Sequence, residues 1–460
     1  MKPSTFFKTL GFSLLFSVFT LLGAQAQMSA QWADTLNKVL QQCRMDENMK
    51  GAASAVVFAD GSVWSGQSGH YGFSPLQSGL LYDIGSNTKT MVATITLLLE
   101  EEGLLSIDDP LSDYLSTAYP NVPGNVTLKQ LLGHNSGIFN YTNHPNFGPE
   151  ITDDFNVFWH PDTILNSFVA APLFTPGANY SYSNTNYVLL GKVIEVVEQK
   201  PLHVVMRDRL FDPLQLSNTF LEAYDAHGMT LTGTWSGNQY VGDYHTSLLS
   251  SAWAAGGIVA TPEDLATWAH KLYSGEVLTA ASMDKMRTGP TSGSTTLGLG
   301  LFEETYKGRV YLGHGGTTFQ NSQMHYSLDS DFSLVVMNID NGLHDETERM
   351  FLKLTDVLEY IQQVEYIQQV VSAPELAKAT ATVKVYPNPS SNIMTVQLEQ
   401  ATNPVETHLE LRDVTGRLVA QQTFLNHTTT LEKSSFGAGI YLLNLVQNGQ
   451  LVESRKVIFQ

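Results

Sequence analysis

Asp83-Ile-Gly-Ser-Asn-Thr-Lys89 runs directly into Thr90-Met-Val-Ala-Thr-Ile-Thr-Leu-Leu-Leu-Glu100, and the reading of the whole chain turns on this junction. The stretch from Met91 to Glu102 reads as a helix stopped at Gly103. Ser86 stands at the helix start and Lys89 follows one turn later, so both side chains fall on one face. A serine hydroxyl is a poor nucleophile until a base takes its proton, and a lysine amine can do so only where burial and positive neighbours lower its pKa. The N–H groups at the mouth of a helix also stabilise negative charge that develops beside the serine. Ser-x-x-Lys is short enough to arise by chance, and a second copy occurs at Ser282-Met-Asp-Lys285. That copy lies in a polar helical pattern, with no glycine before the serine and no long apolar helix after it, and is expected to be structural.

Further polar clusters follow in order. Tyr182-Ser-Asn184 leads into a helical pattern over Tyr187–Glu198, and His314-Gly-Gly316 closes a strand pattern that begins at Arg309. The region between Lys89 and His314 also holds Leu131-Leu-Gly-His-Asn-Ser-Gly137 and Ala255-Gly-Gly257. Gly51–Phe58 and Ser62–Gly66 read as strands joined around the turn residues Asp60-Gly61. Gln323–Ser327 and Phe332–Asn338 alternate like antiparallel strands, and Glu346–Val364 reads as a long terminal helix. Strands at both ends with helices between them indicate a mixed α/β (α+β) domain.

Composition bounds the function. The chain has 460 residues, 43% hydrophobic and 15% charged, which is too apolar for a disordered protein and long enough for two or more domains. Its formal net charge of -19 opposes binding to nucleic acid or anionic lipid. The single cysteine, Cys43, excludes an intrachain disulfide and a cysteine-based metal site. No His-x-His or His-Glu-x-x-His spacing occurs, so neither a catalytic metal nor a cofactor is expected. Lys2 and Lys8 precede an apolar run from Leu10 to Leu22 that ends in Ala24-Gln25-Ala26, the pattern of a cleavable export signal over residues 1–26. No later stretch is long and apolar enough for a transmembrane helix, so the mature chain is expected to be exported and soluble.

The end of the chain differs in electrostatic character. Residues 384–460 carry six basic groups (Lys384, Arg412, Arg417, Lys433, Arg455, Lys456) and six acidic ones (Glu399, Glu406, Glu410, Asp413, Glu432, Glu453), whereas the preceding part is strongly acidic. Before it, Glu359–Val364 repeats at once as Glu365–Val370 and small, polar residues follow, which reads as a helix end passing into a linker over 361–383. The expected strands are Thr382–Val385, Ile393–Leu398, His408–Asp413, Arg417–Phe424, Gly439–Val446 and Leu451–Ile458, enough for a small β-sandwich. With Val385-Tyr-Pro-Asn-Pro389, Asp413-Val-Thr-Gly-Arg417 and Gly437-Ala-Gly-Ile-Tyr-Leu442, this tail resembles the C-terminal sorting domain of type IX secretion cargo. The resemblance implies the type IX machinery as a partner, export to the periplasm, and then secretion or attachment at the cell surface.

Ser86-x-x-Lys89, Tyr182-x-Asn184 and His314-Gly-Gly316 in series resemble the serine β-lactamase and penicillin-binding protein family, in the branch with class C β-lactamases, DD-carboxypeptidases, D-aminopeptidases and related esterases. The resemblance spans about residues 35–360, within a domain expected over 27–360. It implies an antiparallel sheet flanked by helices, with a helical subdomain across the cleft. It further implies Ser86 as the acylated nucleophile, Lys89 as the holder of its proton, and Tyr182 as partner base, its phenolate stabilised by Lys89 and His314. Asn184 and His314 would contact substrate, beside Gly315 and Gly316, and the N–H groups of Ser86 and Thr317 would form the oxyanion hole. Class C enzymes usually carry lysine at the position of His314, so the implied reaction is cleavage of a small peptide or amide, DD-carboxypeptidase- or D-aminopeptidase-like. Esterase or weak β-lactamase activity, or a non-catalytic binding module, are the alternatives. Tyr141-Thr-Asn143 also matches Tyr-x-Asn but is expected to be loop, His134 to be a supporting residue, and Tyr141, Trp235, Tyr240 and Tyr244 to form a binding wall.

Overall fold

The computed structural model describes residues 30–115, 119–242, 244–371, 382–399, 407–413, 418–424, 427–435, 437–447 and 450–459. The expected export signal and residues 372–381 of the expected linker lie outside them. The architecture is built on a nine-stranded antiparallel sheet that joins the two ends of the large domain: Gly51–Phe58 pairs with Phe332–Asn338, from Ala52 opposite Asn338 to Phe58 opposite Phe332. From that seam the sheet continues on one side through Val63–Tyr71 and Ser74–Pro75. On the other side it continues through Asn321–Ser327, Arg309–Thr317, Phe302–Tyr306, Thr295–Leu297 and Thr291–Ser292.

Both faces of this sheet are covered, which is why Gly51–Phe58 is apolar without alternation. Ala53, Ala55 and Val57 point into one core together with Leu265, Trp268 and Leu272 of the helix Pro262–Tyr273. Ala52, Val56 and Phe58 point into the other, with Leu36, Leu40 and Cys43 of the helix Ala30–Asp46 and Met350, Leu354 and Leu358 of the helix His344–Val371. That last helix runs on through the duplicated Glu-Tyr-Ile-Gln-Gln-Val, beyond the expected end at Val364. In the chain between the two halves of the sheet, short helices at Leu128–Leu132, Pro161–Ser167 and Leu202–Met206 pack against the helix Asn184–Glu198.

The helix behind Ser86 spans Thr88–Glu101, and every residue from Thr88 to Leu97 is buried. A helix apolar on all sides belongs inside a domain. It begins three residues before the expected Met91 because its first turn is polar but enclosed: Thr90 Oγ1 accepts a 2.8 Å bond from Trp268 Nε1 and donates to the Asn87 carbonyl. The tail forms two small antiparallel sheets around one core of Val383, Val396, Leu409, Leu431, Leu443, Val457 and their neighbours. All six expected strands are present. A seventh, Thr428–Glu432, is added by its pairing with Ile393–Glu399; its run of threonines carries little apolar signal of its own.

Trp268 is fully buried and bonded to the helix of Ser86. Trp268→Ala is expected to cost about 3–5 kcal/mol of stability, measured by chemical denaturation, by opening a cavity and leaving Thr90 without its donor.

Candidate active site

A small antiparallel sheet of Tyr82–Asp83, Ile258–Ala260 and Thr219–Leu221 delivers the chain to a single turn of 3-10 helix, Gly85–Asn87, on which Ser86 sits. Asn87 Nδ2 donates to the Ile84 carbonyl at 2.9 Å and to Ser322 Oγ at 2.8 Å, and Ser322 Oγ itself donates to the Ile84 carbonyl at 3.0 Å. These bonds fasten the turn to the strand Asn321–Ser327 of the large sheet. Gly85 has φ +52°, and a Cβ there would lie 2.8 Å from the Thr317 nitrogen. Gly316 is closer still, since a Cβ would meet the Ile84 carbonyl oxygen at 2.0 Å. Two glycines thus let the turn of Ser86 and the end of the strand Arg309–Thr317 touch backbone to backbone.

Behind the turn lies an acid that sequence reasoning left without a role. Asp83, 2% exposed, accepts hydrogen bonds from Tyr244 Oη at 3.0 Å and Thr318 Oγ1 at 2.9 Å, and its own N–H donates to Gln320 Oε1 at 3.1 Å. Burial raises its pKa, opposed by nearby His245 and by these two hydroxyls. The network ties the turn of Ser86 to the loop after Thr317. Its signal, an aspartate three residues before the serine, is legible only once the distant partners are known.

Ser86 Oγ is bracketed by Lys89 Nζ at 2.9 Å and Tyr182 Oη at 2.9 Å. Lys89 Nζ also reaches the carbonyl of Ala255 at 2.5 Å, which gives the Ala255-Gly-Gly257 segment its place. Among the described residues no carboxylate lies within ion-pair distance of Lys89. The rings of Tyr182 and Tyr187 stand 5.0 and 5.5 Å from Nζ and favour an ammonium. That attraction is worth roughly 0.5–2 kcal/mol, against an effective burial cost of several kcal/mol for an unpaired ion. Burial wins, and the amine is held well below the ordinary lysine range.

The same burial corrects the expected role of Tyr182. Its phenol is pushed above the usual tyrosine range, with the Ser86 contact only partly opposing this. His314 gives no cation, for burial and then Lys89 lower its pKa to about 3. Both shifts favour a neutral phenol that donates to Ser86 over a phenolate between two cations. His314 Nδ1 lies 2.5 Å from the Gly315 carbonyl and must donate to it, which makes Nε2 an acceptor; the ring stacks on Phe302 at 4.5 Å.

Asn184 opens its helix at the rim, its N–H donating to Asn140 Oδ1 at 3.1 Å and its side chain to Thr142 Oγ1 at 3.4 Å. His134 accepts from the Ser183 N–H at 3.1 Å and lies against Tyr182, ring centroids 4.3 Å apart. A cleft of about 430 Å³ opens over these groups, lined by Ser86, Tyr182, Asn184, His314, Gly315 and Thr317 among others. All eight expected site residues thus meet within one region, Lys89 beneath the cleft and Gly316 in its backbone wall.

The alternatives separate from it. Tyr141 is buried and donates to the Ser251 carbonyl at 3.0 Å. Ser282 lies in the first turn of the helix Ala280–Arg287, its N–H donating to the capping Thr279 Oγ1 at 3.3 Å, and Lys285 pairs with Glu100 at 2.8 Å. The expected aromatic wall is not one surface: Tyr141 and Tyr244 are core residues, whereas Trp235 and Tyr240 line a second groove with Tyr71 and Phe73. Among the described residues no group of three potential metal ligands occurs, and no helix is long and apolar enough to cross a membrane.

A serine at the mouth of a buried helix, faced by a lysine and a tyrosine between a large antiparallel sheet and a helical region, defines a serine hydrolase fold. The profile of the beta-lactamase family matches residues 36–357, and the chain belongs to that family. Residues 384–460 match the secretion system C-terminal sorting domain, which marks the chain for type IX secretion. The chain is 29% identical over 237 residues to PbpX of Bacillus subtilis, covering 50% of this chain and 54% of that one. It is 30% identical over 199 residues to Penicillin-binding protein 4 of Amycolatopsis lactamdurans, covering 41% and 48%. It thus spans about half the length of these curated relatives. Among solved structures, a D-stereospecific amidohydrolase from Streptomyces sp. is 30% identical with a TM-score of 0.59, over 66% of this chain and 94% of that one. The D-amino acid amidase of Ochrobactrum anthropi SV3 shares the fold at 20% identity, with a TM-score of 0.63 over 72% and 100%.

Gly315 and Gly316 separate packing from conformation. Gly316→Ala is expected to cost about 1–3 kcal/mol in chemical denaturation, because the new methyl meets a fixed carbonyl. Gly315→Ala, whose methyl would meet only the movable amide of Gln323 at 3.2 Å, is expected to cost clearly less.

Proposed function

We propose that the protein is a serine hydrolase that cleaves peptide or amide bonds through an acyl-Ser86 intermediate, DD-carboxypeptidase- or D-aminopeptidase-like in its chemistry. The observation that carries this reading is Ser86 Oγ set 2.9 Å from both Lys89 Nζ and Tyr182 Oη, with the lysine buried and, among the described residues, without a carboxylate partner. The neutral amine accepts the proton of Ser86 as the hydroxyl attacks the substrate carbonyl. Tyr182, still protonated, donates toward Oγ in the resting site and passes a proton to the leaving nitrogen, refilled from Lys89. The N–H groups of Ser86 and Thr317 stabilise the oxyanion, held in register by the close backbone approach at Gly85 and Gly316. Water then releases the acyl group by the same steps in reverse. Asn184 and His314 orient the substrate from opposite sides. We also assign residues 1–26 to an export signal and divide the mature chain into a hydrolase domain over 27–360, a linker over 361–383 whose first part continues the helix His344–Val371, and the sorting domain over 384–460.

Ser86→Ala is expected to lower turnover of amide and activated-ester substrates by about 10³-fold or more and to abolish the covalent adduct formed with a fluorescent penicillin. Unchanged turnover would overturn the reading. Lys89→Met and Tyr182→Phe are expected to be far from additive, since both act on one proton path. Activity should fall toward acid pH as Lys89 gains a proton. Because burial lowers its pKa, the acid limb is expected well below the ordinary lysine value of about 10.4.

A further inference from the structure

The cleft beside Ser86 extends past Gly315 into a polar recess between the strand Asn321–Ser327 and the start of the helix His344–Val371. Gln323 and His325 reach it from alternate positions of that strand, 7% and 6% exposed. Among the described residues neither side chain makes a hydrogen bond; the nearest ionic group to His325 is Glu304 Oε2, 3.9 Å from Nδ1. Buried polar side chains are ordinarily bonded, so two adjacent exceptions facing a cavity leave places for a ligand. Glu304 and Glu348 line the same recess, and among the described residues neither has a lysine or arginine partner within 4.0 Å. Among the described residues no lysine or arginine lines the cleft, and His314 offers it an acceptor nitrogen.

From these groups we infer that the recess holds a primary ammonium group of the substrate, so that the enzyme prefers amides bearing a free amine over N-acylated ones and disfavours substrates ending in a free carboxylate. Among the described residues, a carboxylate in this cleft would meet two acids and no lysine or arginine, and like charges brought together in a cleft are costly. An ammonium would instead find the Glu304 and Glu348 carboxylates and the Gln323 carbonyl oxygen as acceptors. This inference rests on the acyl-Ser86 reading and narrows it to aminopeptidase- or amidase-like specificity. Burial already raises the Glu304 pKa, the condition of a carboxylate lacking a counter-charge.

The test compares kcat/KM of the full chain for amino-acid p-nitroanilides with a free amine and for their N-acetylated forms, in both D and L series, with p-nitrophenyl acetate as a neutral control. The free-amine anilides are expected to be favoured by roughly threefold to tenfold, the range set by two partly exposed charges, and added salt should shrink the preference. In the Glu304→Gln, Glu348→Gln double variant the ratio of the two kcat/KM values should fall toward one, carried by KM. If the anilides turn over slowly, their inhibition of p-nitrophenyl acetate hydrolysis must follow the same ranking. Equal or better use of the N-acetylated compounds, or an unchanged ratio in the double variant, overturns the inference while leaving the acyl-Ser86 reading intact. Failure of the wild type to hydrolyse any ester or amide overturns both.

Discussion

One uncompensated lysine sets the terms for the rest of this molecule. Lys89 is fully buried in a helix whose first ten residues are all enclosed, and its amine has a hydroxyl, a carbonyl and two aromatic rings around it but, among the described residues, no acid. Burying an ion without a partner is so costly that the group gives up its proton instead. A structural lysine on a surface gains nothing from such a place. Here the enclosure converts a side chain that is normally an acid of high pKa into a base aimed at Ser86 from 2.9 Å.

The scaffold can be understood as what holds that amine dry and that serine accessible. The helix is enclosed by the Pro262–Tyr273 helix, through the bond from Trp268, and by the Asn184–Glu198 helix, which also brings Tyr182 to the cleft. The large sheet contributes the strand ending in His314-Gly-Gly316, and the glycines allow it to lie directly against the turn of Ser86. Asp83 with Tyr244, Thr318 and Gln320 locks the same two segments from behind. His314 takes part as a neutral ring, so a position that would attract a carboxylate if it held a lysine presents an acceptor instead.

Much of this was legible in the sequence, for identifiable reasons. The long strands and helices showed because their apolar residues recur at the right periods, and Ser86, Lys89, Tyr182, Asn184 and His314 showed because they fall in three short clusters in series. Elements that exist through partners were missed: Tyr82–Asp83 and Thr219–Leu221 are two and three residues long and are strands only because Ile258–Ala260 pairs with both. The charge states were also beyond reach. Spacing places Tyr182 beside Lys89, but whether the pair holds a phenolate with an ammonium or a phenol with an amine depends on how completely the surrounding chain excludes water. Gln323 and His325 read simply as alternating strand residues, and only the fold reveals that, among the described residues, their side chains make no hydrogen bond.

The most direct test of the buried base is nitrogen-15 NMR of the side-chain amines in lysine-labelled protein, with Lys89 assigned by its loss in Lys89→Met. At about pH 8, where an ordinary lysine of pKa about 10.4 is charged, the account predicts a neutral-amine shift for Lys89 alone among the lysines. An ammonium shift for Lys89 that persists up to the ordinary lysine pKa would contradict it.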